Sequence, residues 1–216
     1  IGGTVIEKVA HHEAAHAVAS ALMFGEDHVT EIVVNTLLDD GMRFGFVLER
    51  HCNSLKGKSE FLADAVTYLA GRSADKIILK VIHAGSTRDL TNAQKMIRMV
   101  KYESGLDDSL LIYEDSWLMS TIDVKDLEKE MRAVEARADA IVSANREQIV
   151  ALAEVLLKQP NVKHAFRFSG KEFRRFLKTH ALVRPTSEKR IAVPLCPASP
   201  VPSVHAKCNI SLILAK

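Results

Sequence analysis

The residues best suited to chemistry lie near the start of the chain, in segment 11–16, which reads HHEAAH. Side chains four positions apart share one face of a helix, so His12 and His16 can bind one Zn²⁺, each at about 2.0–2.1 Å. Glu13 points about 100° away around the helix axis, so it can reach a water molecule without binding the metal. The pattern predicts a hydrolytic zinc site with His12 and His16 as ligands and Glu13 as general base. His11 is also about 100° from His12, and we expect it not to be a ligand.

A catalytic zinc ion has three protein ligands, so a third donor must come from elsewhere in the chain. Four side chains have suitable chemistry: Asp64, Asp75, His83 and Asp89. Spacing does not choose among them, because a lone carboxylate more often caps a helix or stays solvated. The residue pattern alone therefore leaves the third ligand open.

A helix over 4–24 must present the two histidines. Thr4 and Glu7 form the T-x-x-E pattern of a capping box, and Gly25 suits the end of the helix. Small residues surround the histidines, which favours close packing of this helix against its neighbours.

Two β-rich segments follow this helix, at 29–35 and 42–49. The Asp-Asp-Gly sequence at 39–41 is a turn signal between them, so we expect an antiparallel pair. Segment 42–49 is our candidate for an edge strand along which an extended peptide binds.

Apolar periodicity predicts helices in the rest of the domain. These helices are expected over 56–83, from Ser86 or Thr87 to about Glu103 with Gly105 closing it, over 123–158, and from a Ser169/Glu172 capping box to about Thr179. Gly71 interrupts the first of them at a cost of about 1 kcal/mol relative to alanine, so we expect close packing there. The predicted fold class is mainly α (α+β), with a small antiparallel β element after the histidine helix.

Proline marks a change of character near residue 183. Five of the six prolines fall after it, and proline interrupts both helices and sheets. We expect one domain over 1–183, which carries the predicted zinc site, and an extended or disordered Pro-rich tail over 184–216.

Composition excludes several classes of protein. The net charge is +2, and its distribution leaves residues 1–183 near neutral, with no basic face for nucleic acid. The sequence contains neither an apolar run long enough to span a membrane nor a signal peptide. Three cysteines without CxxC spacing (Cys52, Cys196 and Cys208) indicate a reducing, cytoplasmic environment. Because the chain opens on Ile1, we expect a fragment or a trimmed form.

Several segments, in matching order, resemble the peptidase domain of the FtsH family of membrane-associated AAA+ proteases, from about Val5 to Leu177. These segments are HHEAAHAV (11–18), GFVLE (45–49), LAGRSADKII (69–78), AGSTRDLTNAQKMIRMV (84–100) and RADAIVSANREQIVALAEVLL (137–157). Several independent segments in register are more specific than the histidine motif alone.

The resemblance implies the missing ligand and a function. It implies that Zn²⁺ is held by His12, His16 and Asp89, with Glu13 as base, and that Asp75 does not bind the metal. The expected activity is a zinc endopeptidase acting on unfolded or misfolded proteins through a metal-activated water. The resemblance also implies a homo-hexamer, an AAA+ ATPase module in the full-length protein or in trans, and a place at the cytoplasmic face of a membrane.

Three departures from the family pattern bear on this expectation. Ala15 replaces a glycine in the zinc helix, Arg88 stands where the family has asparagine, and no Gly-x-x-x-x-Gly-Lys-Ser/Thr motif occurs in the chain. They leave two alternatives open: a catalytically weak or inactive peptidase-like module that serves assembly or partner binding, and a helical binding domain without metal. Zinc stoichiometry and a peptide-cleavage assay separate the three.

Overall fold

The protein is mainly helical with one small sheet, as seen in a computed structural model that describes residues 4–36, 44–50, 55–107, 110, 112 and 124–186. Within these residues the helices are α1 (Val5–Phe24), α2 (Lys58–Ala74), α3 (Thr87–Arg98), α4 (Val124–Ala144), α5 (Arg146–Leu157) and α6 (Gly170–Thr179). The strands are β1 (Val29–Asn35), β2 (Gly45–Glu49), β3 (Asn161–Val162) and β4 (Ala165–Ser169). The predicted fold class is confirmed.

Helix α1 is the central element of the domain. It begins with the expected capping box, in which the Thr4 hydroxyl accepts from the Glu7 N–H and the Glu7 carboxylate accepts from the Thr4 N–H. From Ala10 onward nearly every residue of α1 is buried, because α2, α5 and β1 pack around it. Its histidines are therefore held by a surrounded, rigid helix.

The sheet is antiparallel, with strand order β2-β1-β4-β3. The predicted pairing of the first two strands is confirmed, although β2 is described only from Gly45 and the predicted turn at 39–41 lies outside the described residues. The hairpin β3–β4 (161–169) was not predicted from the sequence. Among the described strands β2 lies at one edge of the sheet, which leaves the backbone groups on its outer side available.

The segment predicted as one helix over 56–83 ends earlier. After α2 the chain makes a wider π-helical turn at Asp75–Leu79, and Lys80 then adopts φ 58°, in the left-handed region. Residues 81–83 belong to no helix or strand, with His83 in an extended conformation, and a short 3₁₀ turn at Ala84–Ser86 leads into α3. This early end brings the start of α3 back toward α1.

The third helix matches its predicted extent, and Ser86 is its N-cap residue as predicted, but without the capping hydrogen bond of its side chain. Helix α3 continues as a π-helical turn at Met99–Glu103, and Gly105, at φ 63°, ends the segment. The Ser86 hydroxyl occupies the cap position but donates to the His83 carbonyl instead of accepting from the helix.

The prediction of one helix over 123–158 was wrong, because Asn145 divides the segment into α4 and α5. The Asn145 side chain donates to the carbonyls of Ile141 and Val183 and accepts from the Val183 N–H at 2.7 Å. The break thus ties the end of α4 to the chain that follows α6.

The last predicted helix is confirmed. Helix α6 begins with the expected capping box of Ser169 and Glu172. The domain boundary near residue 183 stays a prediction, and residues 187–216 of the expected tail lie outside the described residues. None of the helices in the described ranges combines the length and the apolar character needed to span a lipid bilayer.

Candidate metal centre

Three side chains from two helices converge at one point. The ligand atoms of His12, His16 and Asp89 all lie within 4.8 Å of one another. Asp89 Oδ2 is 3.1 Å from His12 Nε2 and 3.6 Å from His16 Nε2. Both imidazoles are on α1, and Asp89 is in the first turn of α3. Two imidazoles and one carboxylate form a donor set that suits zinc.

Gly71 of α2 keeps the space between the two imidazoles open. A Cβ at this position would lie 2.4 Å from His12 Nε2 and 2.5 Å from His16 Nε2. Any larger residue would therefore fill the place where the two nitrogens meet. The predicted close packing at Gly71 is confirmed, and the cradle fits an ion bound by these nitrogens.

Hydrogen bonds on the opposite side of each ring fix the orientation of both imidazoles. His16 Nδ1 lies 2.8 Å from the Thr67 carbonyl oxygen, which can only accept, so Nδ1 carries the proton. His12 Nδ1 lies 3.0 Å from Asp75 Oδ2 and donates to that carboxylate. With Nδ1 as the donor, the neutral form of each ring directs the Nε2 lone pair toward the other two candidate ligands, as metal binding requires.

The charges of the three residues are strongly coupled. Burial lowers the pKa of His12, but hydrogen bonds to Asp75 and Asp89 outweigh burial and raise the pKa to about 10. Burial also lowers the pKa of His16, but the Asp89 carboxylate raises it, and the net result is a raised pKa. For Asp89, burial favours the neutral acid, yet the two imidazoles hold its pKa far below the usual range. The carboxylate and the two imidazoles thus each favour the charged form of the other.

Glu13 faces the same site from the strand side. Its carboxyl group is buried, and burial raises its pKa although the neighbouring imidazoles act in the opposite direction. Gly45 of β2 makes room for it, since a Cβ there would lie 2.6 Å from Glu13 Cγ and 2.7 Å from Glu13 Oε1. The close approach of the strand fixes the Glu13 carboxyl group beside the cluster of His12, His16 and Asp89.

A cavity of about 630 Å³ opens onto the cluster. Helix α1, strand β2 and the start of α3 form its walls, and His12, Glu13, His16 and Asp89 lie among its lining residues. Val9, Phe44 and Val47 give the cavity an apolar part. Its size and its position beside β2 suit an extended peptide.

The other histidine and aspartate candidates lie outside the ligand cluster. Asp64 pairs with Lys56 at 2.5 Å. Asp75 is fully buried, and its Oδ2 accepts the hydrogen bond from His12 Nδ1. His83 Nε2 lies 3.5 Å from the same oxygen. His11 Nδ1 contacts the Glu7 carbonyl at 2.7 Å, and its role as a non-ligand stays a prediction.

Sequence reasoning missed two supporting features. The Thr67 carbonyl is a backbone group and leaves no trace in the residue pattern. Gly45 gave a weak signal, because a glycine inside a strand often marks a close approach. Both features are seen in the three-dimensional arrangement.

A helix bearing two imidazoles one turn apart, a carboxylate from a second helix and a buried glutamate beside an open cavity are typical of zinc metallopeptidases. Comparison with known proteins supports this class. The family model for peptidase family M41 matches residues 5–165. The chain belongs to this family of metalloproteases.

Similar proteins carry the names of ATP-dependent zinc metalloproteases. FtsH 3 of Petrotoga mobilis is 26% identical over 192 residues, which is 79% of this chain and 28% of the relative. FtsH of Thermus thermophilus is 26% identical over 194 residues, which is 82% of this chain and 30% of that protein. The chain thus spans about three tenths of the length of these relatives.

Proposed function

We propose that this chain is a zinc-dependent endopeptidase that hydrolyses peptide bonds of unfolded or misfolded proteins. The observation that carries the proposal is the convergence of His12 Nε2, His16 Nε2 and Asp89 Oδ2 within 4.8 Å, with Glu13 beside them at the base of an open cavity. The names of the relatives support zinc as the metal.

In this proposal His12, His16 and Asp89 hold the zinc ion. When bound, zinc supplies a Lewis acid that lowers the pKa of water and stabilises negative charge on a carbonyl oxygen. Asp75 and the Thr67 carbonyl hold the two rings in place through their Nδ1 protons. A ligand held in a fixed tautomer needs no reorganisation when the metal binds.

Glu13 moves the proton. It accepts the proton of the attacking water and delivers it to the nitrogen of the departing amine. The burial that raises the pKa of Glu13 makes its carboxylate a stronger base and eases the first transfer. Gly45 limits the movement of this side chain by its close contact, so the carboxylate stays directed at the reacting atoms.

The substrate lies extended along β2. This strand is an edge of the sheet in the described part of the chain, and its residues 45–47 and 49 line the cavity. A peptide added to this edge gains backbone hydrogen bonds that do not depend on its sequence. Such binding requires an extended chain, which unfolded proteins supply and folded ones do not.

The proposal extends to the partners of the peptidase. Because the relatives are named ATP-dependent and this chain spans only about three tenths of them, we propose that an AAA+ ATPase module acts with it, in a longer protein or in trans. We further propose a homo-hexamer at the cytoplasmic face of a membrane. An ATPase would deliver the unfolded chain that the edge strand requires.

Cleavage of casein by the Glu13→Gln form tests the proposal, with zinc content measured in the same samples. The variant should keep its zinc and lose at least about 100-fold in kcat, because it retains shape but not basicity. His11→Gln is the matched control, since the one hydrogen bond of this neighbouring histidine within the described part of the chain is to the Glu7 carbonyl. Undiminished cleavage by zinc-loaded Glu13→Gln would remove Glu13 from its role. A zinc-loaded wild type that cleaves nothing would favour the alternative of a module for assembly or partner binding.

A further inference from the structure

The cavity beside the metal centre has an unbalanced set of charges. Two cations, Lys8 and Arg88, line it together with three carboxyl groups, those of Glu13, Glu49 and Asp89. By count the wall is acidic. The contacts of each charged group, however, decide which charges remain without a partner.

All three carboxyl groups are engaged. Asp89 contacts both imidazoles of α1. Glu49 lies 3.9 Å from His28 Nε2. Glu13 lies against Gly45, where an added Cβ would be 2.7 Å from its Oε1, and serves the hydrolytic reaction in the proposed function. Within the described residues no ion pair links any of these carboxyl groups to Lys8 or Arg88.

The two cations have no such partners. Neither Lys8 nor Arg88 forms an ion pair with any residue in the described ranges of the chain. Lys8 is four residues before His12 on α1, so it lies in the same row as the two imidazoles, about 6 Å further along the helix. Arg88 immediately precedes Asp89, and its charge acts on the Tyr68 hydroxyl, whose pKa it lowers against the larger effect of burial. Both cations therefore flank the reacting centre, from two different helices.

We propose that Lys8 and Arg88 form a subsite that binds a carboxylate of the peptide substrate close to the scissile bond. This inference rests on the proposed peptidase function and adds a substrate preference to it. A guanidinium can bind both oxygens of a carboxylate at once, and an ammonium adds a second charge without fixing the geometry. The carboxylate comes either from an aspartate or glutamate side chain or from the C-terminus of the peptide.

A matched set of quenched peptides tests the subsite. One sequence carries a single glutamate at each position in turn, paired with glutamine at the same position, and every peptide has an amidated C-terminus. A further peptide carries only glutamine and a free C-terminal carboxylate. The proteins are the zinc-loaded wild type, Lys8→Gln, Arg88→Gln and Lys95→Gln, the last an exposed lysine of α3 that does not line the cavity.

The wild type should cleave one of the carboxylate peptides about five- to ten-fold faster in kcat/KM than its uncharged match, as a partly exposed charge-assisted contact allows. Arg88→Gln and Lys8→Gln should reduce this preference, whereas Lys95→Gln should keep it. The preference should weaken as salt screens the charges. A preference for a glutamate position identifies a side chain as the ligand, and a preference for the free C-terminus identifies the terminal carboxylate.

Equal cleavage of all matched pairs by an active wild type would overturn the subsite and leave the peptidase function intact. If no peptide is cleaved, the proposed function fails, and the subsite is then tested by binding. In that case fluorescence anisotropy of the labelled peptides with the Glu13→Gln protein supplies the readout. Tighter binding of a carboxylate peptide, lost in the double variant Glu13→Gln/Arg88→Gln, supports the subsite, and equal binding of all peptides overturns it.

Discussion

Replacing Gly71 with alanine would place a methyl group where the two imidazoles meet. The new Cβ would lie 2.4 Å from His12 Nε2 and 2.5 Å from His16 Nε2, whereas an ordinary contact begins at 3.4 Å. The rings would have to retreat by about 1 Å, but zinc–ligand distances tolerate only about 0.2 Å. At least one ligand is then lost, so we expect zinc affinity to fall by more than about 100-fold, beyond the usual effect of losing a ligand's hydrogen-bond partner.

The assay is a zinc titration of the metal-free protein in competition with a chromophoric chelator. Circular dichroism and thermal unfolding of the same samples report the fold, which alanine should not disrupt, because it favours a helix over glycine by about 1 kcal/mol. A folded Gly71→Ala protein that binds zinc with the affinity of the wild type would refute the proposed meeting point of the two histidines.

Three further predictions concern the surroundings of the metal. Gly45→Ala should retain zinc but lose activity, because its Cβ would lie 2.6 Å from Glu13 Cγ and displace that side chain. Equal loss of zinc and activity would contradict the idea that Gly45 acts on Glu13 and not on the zinc ligands. Asp75→Asn should weaken zinc binding by about 10–100-fold through the disturbed His12 ring, and an unchanged titration would show that the hydrogen bond is dispensable. The pKa of His12 is raised to about 10, and that of His16 is also raised, so zinc must displace protons at neutral pH. Zinc affinity should therefore fall as pH falls, by about ten-fold per pH unit for each proton displaced. Calorimetry in buffers of different ionisation enthalpy measures this release, and identical heats in all buffers would contradict it.

Local patterns predicted the parts of the fold that depend on neighbouring residues. The capping box of Thr4 and Glu7, the helix it begins and the antiparallel pairing of β1 with β2 are confirmed, because each depends on residues close in sequence. The fold class follows from these elements. The assignment of the zinc ligands stays a prediction, although the two histidines lie as their spacing requires.

Long-range contacts decide what local patterns did not predict. Asn145 divides a helix because its side chain bonds to Val183, 38 residues away. Strand β4 forms by antiparallel pairing with the distant strand β1, in which Ile32 lies opposite Phe168. Asp89 could not be chosen from spacing, since the early end of the helix before it determines where it lies.

The central claim is that His12, His16 and Asp89 together hold one zinc ion. Its most direct test is the zinc affinity of Asp89→Ala measured by calorimetry, with Asp64→Ala as the matched control, because Asp64 pairs with Lys56 instead. We expect one zinc per chain in the wild type and the control, and binding weaker by at least about 100-fold in Asp89→Ala. Full zinc affinity in Asp89→Ala would contradict this metal centre and return the choice of third ligand to Asp75 or His83.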